Sequence, residues 1–219
     1  MLRTLALLAL GLLAQHPAHA EPKLYPTGPA EDAAFVRFVN GLDGTLDIHV
    51  GRDARLDLTA KNRSTSWQAV KARTPHKATF SHGGMSKVVE VSVQPSEFVT
   101  VVAIPEGASG WKVELGRESP SDFSALKVSL GLLNLAPDCP SATIKLAGKD
   151  ITIVQDVAPQ AIKRRQINPV ALGVDLYCQG QRIGVPVDLG NLRAGERWTL
   201  LVRPTSEGPR IMPILDRMR

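Results

Sequence analysis

The sequence predicts an all-β protein built from two tandem antiparallel β-sandwich domains joined by a short linker. Three observations support this prediction. Apolar and polar residues alternate at every second position, and turn signals interrupt them every eight to twelve residues. No apolar pattern of helical period extends over ten residues after position 20. The chain also repeats itself at a spacing near 100 residues, which is the size of one small β-sandwich.

The repeat is visible in polar residues that end or begin apolar runs. The corresponding positions are Asn40 and Asn134, which lie 94 residues apart, and two pairs that lie 99 residues apart, Glu97 with Glu196 and Thr100 with Thr199. Few identities carry this pattern, so chance similarity is the alternative explanation. Two copies of a small β module are more often a binding or adaptor scaffold than a catalyst.

The first 20 residues have the features of a secretory signal peptide. Arg3 supplies a positive start, Leu5–Ala14 is apolar, and small residues end at Ala20, where we expect cleavage. No later stretch approaches the roughly 18–20 apolar residues that a membrane-spanning helix needs. We therefore expect an exported chain located in the periplasm, beginning with an extended arm over residues 21–33 that is rich in Pro, Gly and acidic residues.

The remaining chain divides into two sandwiches. We place the first at 34–118, the linker at 119–124 and the second at 125–219. Phe98–Ile104 is almost entirely apolar, as expected for a strand buried on both faces. Ile211–Met218 is predicted either as a last strand or as a frayed end. The other strand-like runs are Ala34–Asn40, Leu46–Val50, Leu56–Leu58, Ala78–Phe80, Val89–Val93 and Trp111–Leu115 in the first half, and Lys127–Leu135, Thr143–Leu146, Ile151–Val154, Val170–Cys178, Val185–Leu189 and Trp198–Arg203 in the second.

Basic residues are concentrated in the second half. Residues 21–118 carry 12 Lys and Arg against 12 Asp and Glu, whereas residues 119–219 carry 13 against 9. Lys163, Arg164 and Arg165 form the densest cluster and are candidate contacts to an acidic polymer. A solvated surface without a partner explains the same excess. Nucleic acid is a poor candidate because export removes the usual target and no recognition motif is present.

Two cysteines, Cys139 and Cys178, lie in the second half. In an exported protein they favour a structural disulfide. Two free thiols are the second possibility, and a reactive or metal-binding role is the third, since neither residue belongs to a Cys-x-x-Cys motif.

The sequence contains no recognisable catalytic or cofactor motif, so we predict no catalytic residues, no metal and no cofactor. A Gly-x-Ser-x-Gly elbow, a His-Glu-x-x-His pair and a phosphate-binding loop are all absent from the sequence. A serine nucleophile would need a nearby base. Ser81 or Ser86 beside His82 is the one arrangement that we consider, and a glycine turn after His82 explains that segment better.

An ordered set of residues resembles the AlgF family of periplasmic alginate O-acetylation proteins. The set begins with Leu24–Pro29, Phe35–Arg37 and Asn40, and it continues in the second half with Arg165–Val170, Gly180–Gly184 and Ala194–Glu196. Residues 52–90 match weakly. No single motif is diagnostic, but the order and spacing cover most of the mature chain.

This resemblance implies a non-enzymatic tandem β-sandwich that acts by protein contact. The implied partners are a membrane-bound O-acyltransferase and periplasmic SGNH-type polysaccharide O-acetyltransferases. The implied polymer is alginate, although related genes also serve cellulose acetylation. The family supplies no catalytic residues to transfer. The alternative function is a polyanionic polysaccharide-binding module that uses Lys163, Arg164 and Arg165.

Three further residues are candidate partner contacts or structural anchors. Arg37 belongs to the first block of the resemblance, and Asn168 and Pro169 belong to the second. For Asn168 and Pro169 the structural alternative is an extended turn before a strand, because the residue before a proline avoids helical conformation.

Overall fold

The computed structural model describes residues 32–51, 54–107, 110–119 and 123–218, and the regular elements in these ranges are all β-strands. The predicted signal peptide and residues 21–31 of the predicted arm lie outside the described residues. The first eight strands are β1 (Ala33–Asn40), β2 (Leu46–Val50), β3 (Ala54–Leu58), β4 (Gln68–Lys71), β5 (Pro75–His82), β6 (Met85–Ser92), β7 (Phe98–Glu106) and β8 (Gly110–Glu118). The next eight are β9 (Val128–Asn134), β10 (Ala142–Leu146), β11 (Thr152–Val157), β12 (Ile162–Ile167), β13 (Ala171–Cys178), β14 (Gln181–Asn191), β15 (Arg197–Arg203) and β16 (Arg210–Leu215).

These strands form four sheets in two equivalent pairs. The first sandwich pairs the sheet β4-β1-β7-β8 with the sheet β3-β2-β5-β6. The second repeats the same order eight strands later, as β12-β9-β15-β16 and β11-β10-β13-β14. Most neighbours are antiparallel, but β1 with β7 and β9 with β15 are parallel. The predicted class, two tandem β-sandwiches, is confirmed.

The four sheets stack in layers with three hydrophobic interiors. One interior lies inside each sandwich, and the third lies between β4-β1-β7-β8 and β12-β9-β15-β16. The middle strands β7 and β9 are therefore covered on both faces, and residues 98–104 and 128–134 are all buried. This confirms the prediction for Phe98–Ile104. A single compact unit, Glu31–Arg219, contains both sandwiches.

The repeated asparagines make the same hydrogen bonds in both sandwiches. Asn40 Nδ2 donates to two backbone carbonyls at 2.9 and 2.8 Å, and its Oδ1 accepts from the backbone N–H two residues later. Asn134 does the same, with donor distances of 2.7 and 2.9 Å. Both side chains are completely buried, so each satisfies backbone groups that would otherwise be buried without partners.

The repeated glutamates close equivalent turns. A carboxylate oxygen of Glu97 accepts from the N–H of Gln94 at 2.8 Å, and one of Glu196 accepts from the N–H of Arg193 at 3.0 Å. The residue before each glutamate has a positive φ, 62° at Ser96 and 81° at Gly195. The repeat is therefore present in local geometry as well as in strand order.

Two edge strands were missing from the predicted set. Strand β4 has only four residues, and β12 has charged or polar residues at four of its six positions. Neither shows the apolar alternation that predicts a strand. Ile211–Met218 was predicted as a strand or a frayed end, and β16 covers most of it. The proposed boundaries at 34, 118, 125 and 219 stay a prediction.

Candidate functional site

The junction between the sandwiches is a buried aliphatic surface. Its members are Val39, Val102, Ile104, Leu133, Leu135, Leu201, Met212 and Ile214. A glycine allows close approach of the two middle sheets, because a Cβ atom on Gly116 would lie 2.5 Å from Cδ2 of Leu133. Burial of apolar surface is the main favourable term in such associations, so this surface holds the two sandwiches together.

Arg37 lies within this junction and joins both sandwiches. Its side chain is 1% exposed and forms an ion pair with Asp216. Nε donates to Oγ1 of Thr100 at 3.0 Å, and Nη2 donates to Oγ1 of Thr199 at 2.9 Å. Its Cζ also lies 4.3 Å from the centre of the Trp67 ring, a cation–π distance. Of the two roles predicted for Arg37, its burial supports the structural anchor.

Arg164 forms the second half of the same network. Its Nη2 donates to Glu118 at 2.8 Å, to Asp216 at 2.8 Å and to Oγ1 of Thr199 at 2.9 Å. Its guanidinium lies across Gly131, where a Cβ atom would come within 2.9 Å of Cζ. Because its side chain is 9% exposed, Arg164 contributes to the junction and not to an exposed basic surface.

The carboxylate of Asp216 remains charged in this environment. Burial would raise the pKa of Asp216, but the charges of Arg37 and Arg164 and their hydrogen bonds outweigh burial and hold it below its ordinary value. The side chain of Asp216 is 1% exposed. Breaking one side of such a pair leaves an uncompensated buried charge, which makes the network a strong structural constraint.

The network uses positions that correspond in the two sandwiches. Thr100 pairs with Gly116, and Thr199 pairs with Ile214. Glu118 and Asp216 each lie two residues after these partners, so they occupy equivalent positions in the two sandwiches. The arginines, in contrast, come from different strands. Arg37 pairs with Thr100 in β1–β7, and the equivalent residue of β9, Gly131, pairs with Thr199. Gly131 also pairs with Arg164 of the edge strand β12. The arginine has therefore moved from the inner strand to the edge strand in the second copy.

Lys163 and Arg165 lie on the opposite face of β12 from Arg164. Lys163 Nζ donates to the carbonyl oxygens of Gln155 at 3.1 Å and Asp156 at 2.7 Å. Arg165 Nη1 donates to two other carbonyls of β11, at 3.2 and 3.1 Å. Both side chains cover an edge strand whose backbone would otherwise be open. The alternation along β12 thus separates the three residues that the sequence predicted as one basic cluster.

The other predicted site residues lie in the second sandwich. Asn168 and Pro169 are exposed just before β13, and Asn168 Oδ1 accepts a hydrogen bond from Lys127 Nζ. Cys139 and Cys178 form a disulfide with Cα atoms 5.1 Å apart. The bridge connects the turn after β9 to the end of β13 within the second hydrophobic interior.

The histidine and serine side chains considered as a catalytic set bind other groups. His82 Nδ1 lies 2.8 Å from the backbone oxygen of Thr45, and the hydroxyls of Ser81 and Ser86 lie 2.8 Å from each other. His76 Nε2 lies 2.7 Å from the carbonyl oxygen of Lys71. This geometry provides no serine activated by a histidine at this hairpin.

Two features are missing from the ranges that the structure describes. Among those residues, no group of three or more His, Cys, Asp and Glu side chains is placed to hold a metal ion. The same ranges contain no helix that is long and apolar enough to span a membrane.

Two depressions lie at the boundary between the sandwiches. One, of about 560 Å³, lies between β3 and β16 and is lined mainly by basic and uncharged polar residues. The other, of about 690 Å³, carries both charges: Asp43, Glu106 and Asp138 with Lys112 and Arg203. In this second depression Arg203 Nη2 lies 3.5 Å from Asp43, and burial lowers the pKa of Arg203. Only the first depression therefore has one dominant sign of charge.

Layered double sandwiches, joined by an aliphatic surface and a buried ion-pair network, define this chain as an all-β protein of two tandem β-sandwiches. The model of the family described as Alginate O-acetyl transferase AlgF matches residues 6–199. The chain belongs to this AlgF family. A curated relative, the alginate biosynthesis protein AlgF of Pseudomonas aeruginosa, is 29% identical over 209 residues, which cover 94% of this chain and 88% of the relative.

A solved structure of the C-terminal domain of AlgF from P. aeruginosa is also similar. It has 26% sequence identity, covers 41% of this chain and 98% of that domain, and has a TM-score of 0.35. Family membership confirms the resemblance that the ordered residue blocks indicated.

Proposed function

We propose that this chain is a non-enzymatic periplasmic adaptor required for O-acetylation of an exopolysaccharide, and that the polymer is alginate. The observation that carries the proposal is the family match over residues 6–199, whose description and whose Pseudomonas relative both name alginate. The chain would act by contact with periplasmic SGNH-type O-acetyltransferases and a membrane-bound O-acyltransferase.

The fold supports a role in binding other proteins because its sheets end in open edge strands. Strands β6 and β14 end their sheets, and each carries a highly exposed valine, Val88 at 71% and Val185 at 79%. Phe123 and Leu126, between β8 and β9, are 60% and 79% exposed. Open edges and exposed apolar side chains are features that proteins use to bind other chains.

A non-catalytic role also agrees with the hydrogen bonds of the histidine-containing hairpin. His82 binds a backbone oxygen, and Ser81 and Ser86 bind each other, so this hairpin lacks the contact that would activate a serine. The purified chain should therefore transfer no acetyl group from a donor to an oligosaccharide when it is incubated without partners.

Deletion of the gene tests whether the chain is required for O-acetylation of the polymer. The acetyl content of the secreted polymer should fall in a deletion strain and return when the gene is restored. An unchanged acetyl content in the deletion strain would exclude the proposed function. Acetyl transfer by the purified chain alone would instead show that the chain is an enzyme.

A further inference from the structure

The depression between β3 and β16 is a preformed groove at the boundary of the two sandwiches. Its walls are the edge strands β3, from the outer sheet of the first sandwich, and β16, from the inner sheet of the second. Strand β4, the edge of the sheet between them, has only four residues, and the groove lies over this short edge. Its volume of about 560 Å³ is within the range of known ligand sites.

Backbone hydrogen bonds fix the loop that forms the floor of the groove. The carbonyl of Arg63 accepts from the N–H of Asn40 at 2.7 Å, and the N–H of Thr65 donates to Phe38 at 3.0 Å. Arg63 Nη1 also donates to the carbonyls of Asn40 at 3.1 Å and Leu42 at 2.8 Å. A ligand would thus meet a surface that is already ordered, which reduces the entropy cost of binding.

Charge in the groove is predominantly positive. The charged lining residues are Arg55, Lys61, Arg63 and Arg217, against Asp57 as the acidic one. Arg55 is already paired, with Asp47 at 2.9 Å and Asp57 at 3.4 Å. Lys61, in the loop after β3, and Arg217, just after β16, are both exposed. Their position favours an acidic ligand that extends across both sandwiches.

The remaining lining favours a polypeptide over a sugar. It consists of amides and hydroxyls, including Asn62, Ser64 and Ser66, and of apolar side chains from β3 and β16. Strand β3 is a sheet edge that can pair with an extended chain. Of the described lining residues none is aromatic, and Trp67, which lies within the loop sequence, is 2% exposed. A polysaccharide would therefore lack a ring to stack on, whereas an extended peptide can pair with the open edge of β3.

We propose that this groove docks an acidic, extended segment of a partner protein. The inference rests on the proposed function, because it assigns a place on the chain to the protein contacts of an adaptor. A short segment is sufficient. Lys61 and Arg217 would bind its acidic side chains, and the open edge of β3 would bind its backbone.

Fluorescence anisotropy can measure how tightly the purified full-length chain binds a labelled ten-residue peptide of alternating Asp and Val. The variant Lys61→Glu/Arg217→Glu should bind at least tenfold more weakly than the wild type. The control Lys149→Glu/Arg193→Glu changes the net charge equally at two exposed sites outside the groove and should bind normally. Added salt should weaken wild-type binding, since exposed charges are screened.

Two further probes decide the class of ligand. A Lys–Val peptide of the same length should not bind. A uronic acid oligosaccharide of equal charge should bind at least tenfold more weakly than the Asp–Val peptide, and equal binding of the two would overturn the proposal in favour of polymer recognition. Absence of Asp–Val binding to the wild type would also overturn it. If the charge-reversed chain unfolds, Lys61→Gln/Arg217→Gln supplies the same comparison at a smaller loss of affinity.

Complementation in cells distinguishes failure of the groove proposal from failure of the proposed adaptor function. In the deletion strain, the groove variant should restore polymer acetylation less well than the control variant does. If deletion abolishes acetylation and both variants restore it equally, the groove proposal fails and the adaptor function stands. If deletion has no effect on acetylation, the adaptor function itself fails.

Discussion

Glu118 and Asp216 occupy equivalent positions in the two sandwiches, and the guanidinium of Arg164 binds both. Its Nη2 lies 2.8 Å from Oε1 of Glu118 and 2.8 Å from Oδ2 of Asp216. Arg37 binds Asp216 from the first sandwich. The acidic positions of the repeat therefore meet at the junction and are bridged by arginines that the repeat does not share.

Removing the charge of Asp216 should strongly destabilise the chain. Asp216→Asn leaves the buried guanidinium of Arg37 without its carboxylate, and such a change costs about 3–5 kcal/mol of unfolding free energy. Urea unfolding followed by circular dichroism measures this loss. Asp150→Asn removes an exposed pair with Lys145 and should leave the unfolding midpoint nearly unchanged. Equal effects of the two substitutions would contradict a special role for the buried network.

The network should also make stability depend on pH in the acid range. The pKa of Asp216 is lower in the folded chain than its ordinary value because Arg37 and Arg164 outweigh the effect of burial. Its contribution is therefore complete above the unfolded pKa, about 3.9, and is lost as the pH falls through the folded value. Comparing urea midpoints at pH 7 and pH 3 should show a larger loss for the wild type than for Asp216→Asn. A parallel loss in both would assign the acid sensitivity to other carboxylates.

Glycine is required at position 131 because of the side chain that crosses it. In Gly131→Ala, the new Cβ would lie 2.9 Å from Cζ and Nη1 of Arg164, and the guanidinium must move away from its carboxylates. Crowding of this kind costs about 1–3 kcal/mol. The same substitution in an Arg164→Ala background should cost much less, because the clash partner is gone. A cost that is independent of Arg164 would place the strain in the backbone instead.

The Cys139–Cys178 bridge should contribute measurably to stability. It closes a loop with a sequence separation of 39, for which the chain-entropy model gives about 4 kcal/mol. Reductant should lower the urea midpoint of the wild type and leave that of Cys139→Ala/Cys178→Ala unchanged. A wild-type midpoint that does not respond to complete reduction would show that the bridge adds no stability.

Much of the fold follows from local pattern, whereas the junction depends on contacts between distant strands. The alternating runs and the Asn40–Asn134 and Glu97–Glu196 pairs predicted two sandwiches, because period-two burial and repeated turns leave a direct trace in sequence. Strand β12 left no such trace, since Lys163, Arg164 and Arg165 conceal its alternation. When successive residues are all charged, the sequence does not indicate which side chains point into the protein. That becomes clear only when the neighbouring strand is known.

The acidic pair of the junction left only a weak signal in the sequence. Glu118 and Asp216 each lie two residues beyond the partner of the repeated threonine, Thr100 or Thr199. The two acids lie 98 residues apart, one fewer than the threonines, so extending the repeat to the last strand of each half aligns them only if a one-residue gap is allowed. The arginines could not be found in that way, because Arg37 corresponds to Gly131 and the charge has moved to another strand.

Complementation of the deletion strain with Ser81→Ala/His82→Ala/Ser86→Ala tests the central claim most directly. The substitutions remove the two serines and His82, which were considered as a catalytic set at the β5–β6 hairpin, and they change no residue of the junction or the groove. The measured quantity is the acetyl content of the secreted polymer, with circular dichroism confirming that the variant is folded. The adaptor account predicts acetylation at the wild-type level. A folded variant that leaves the polymer unacetylated would contradict it.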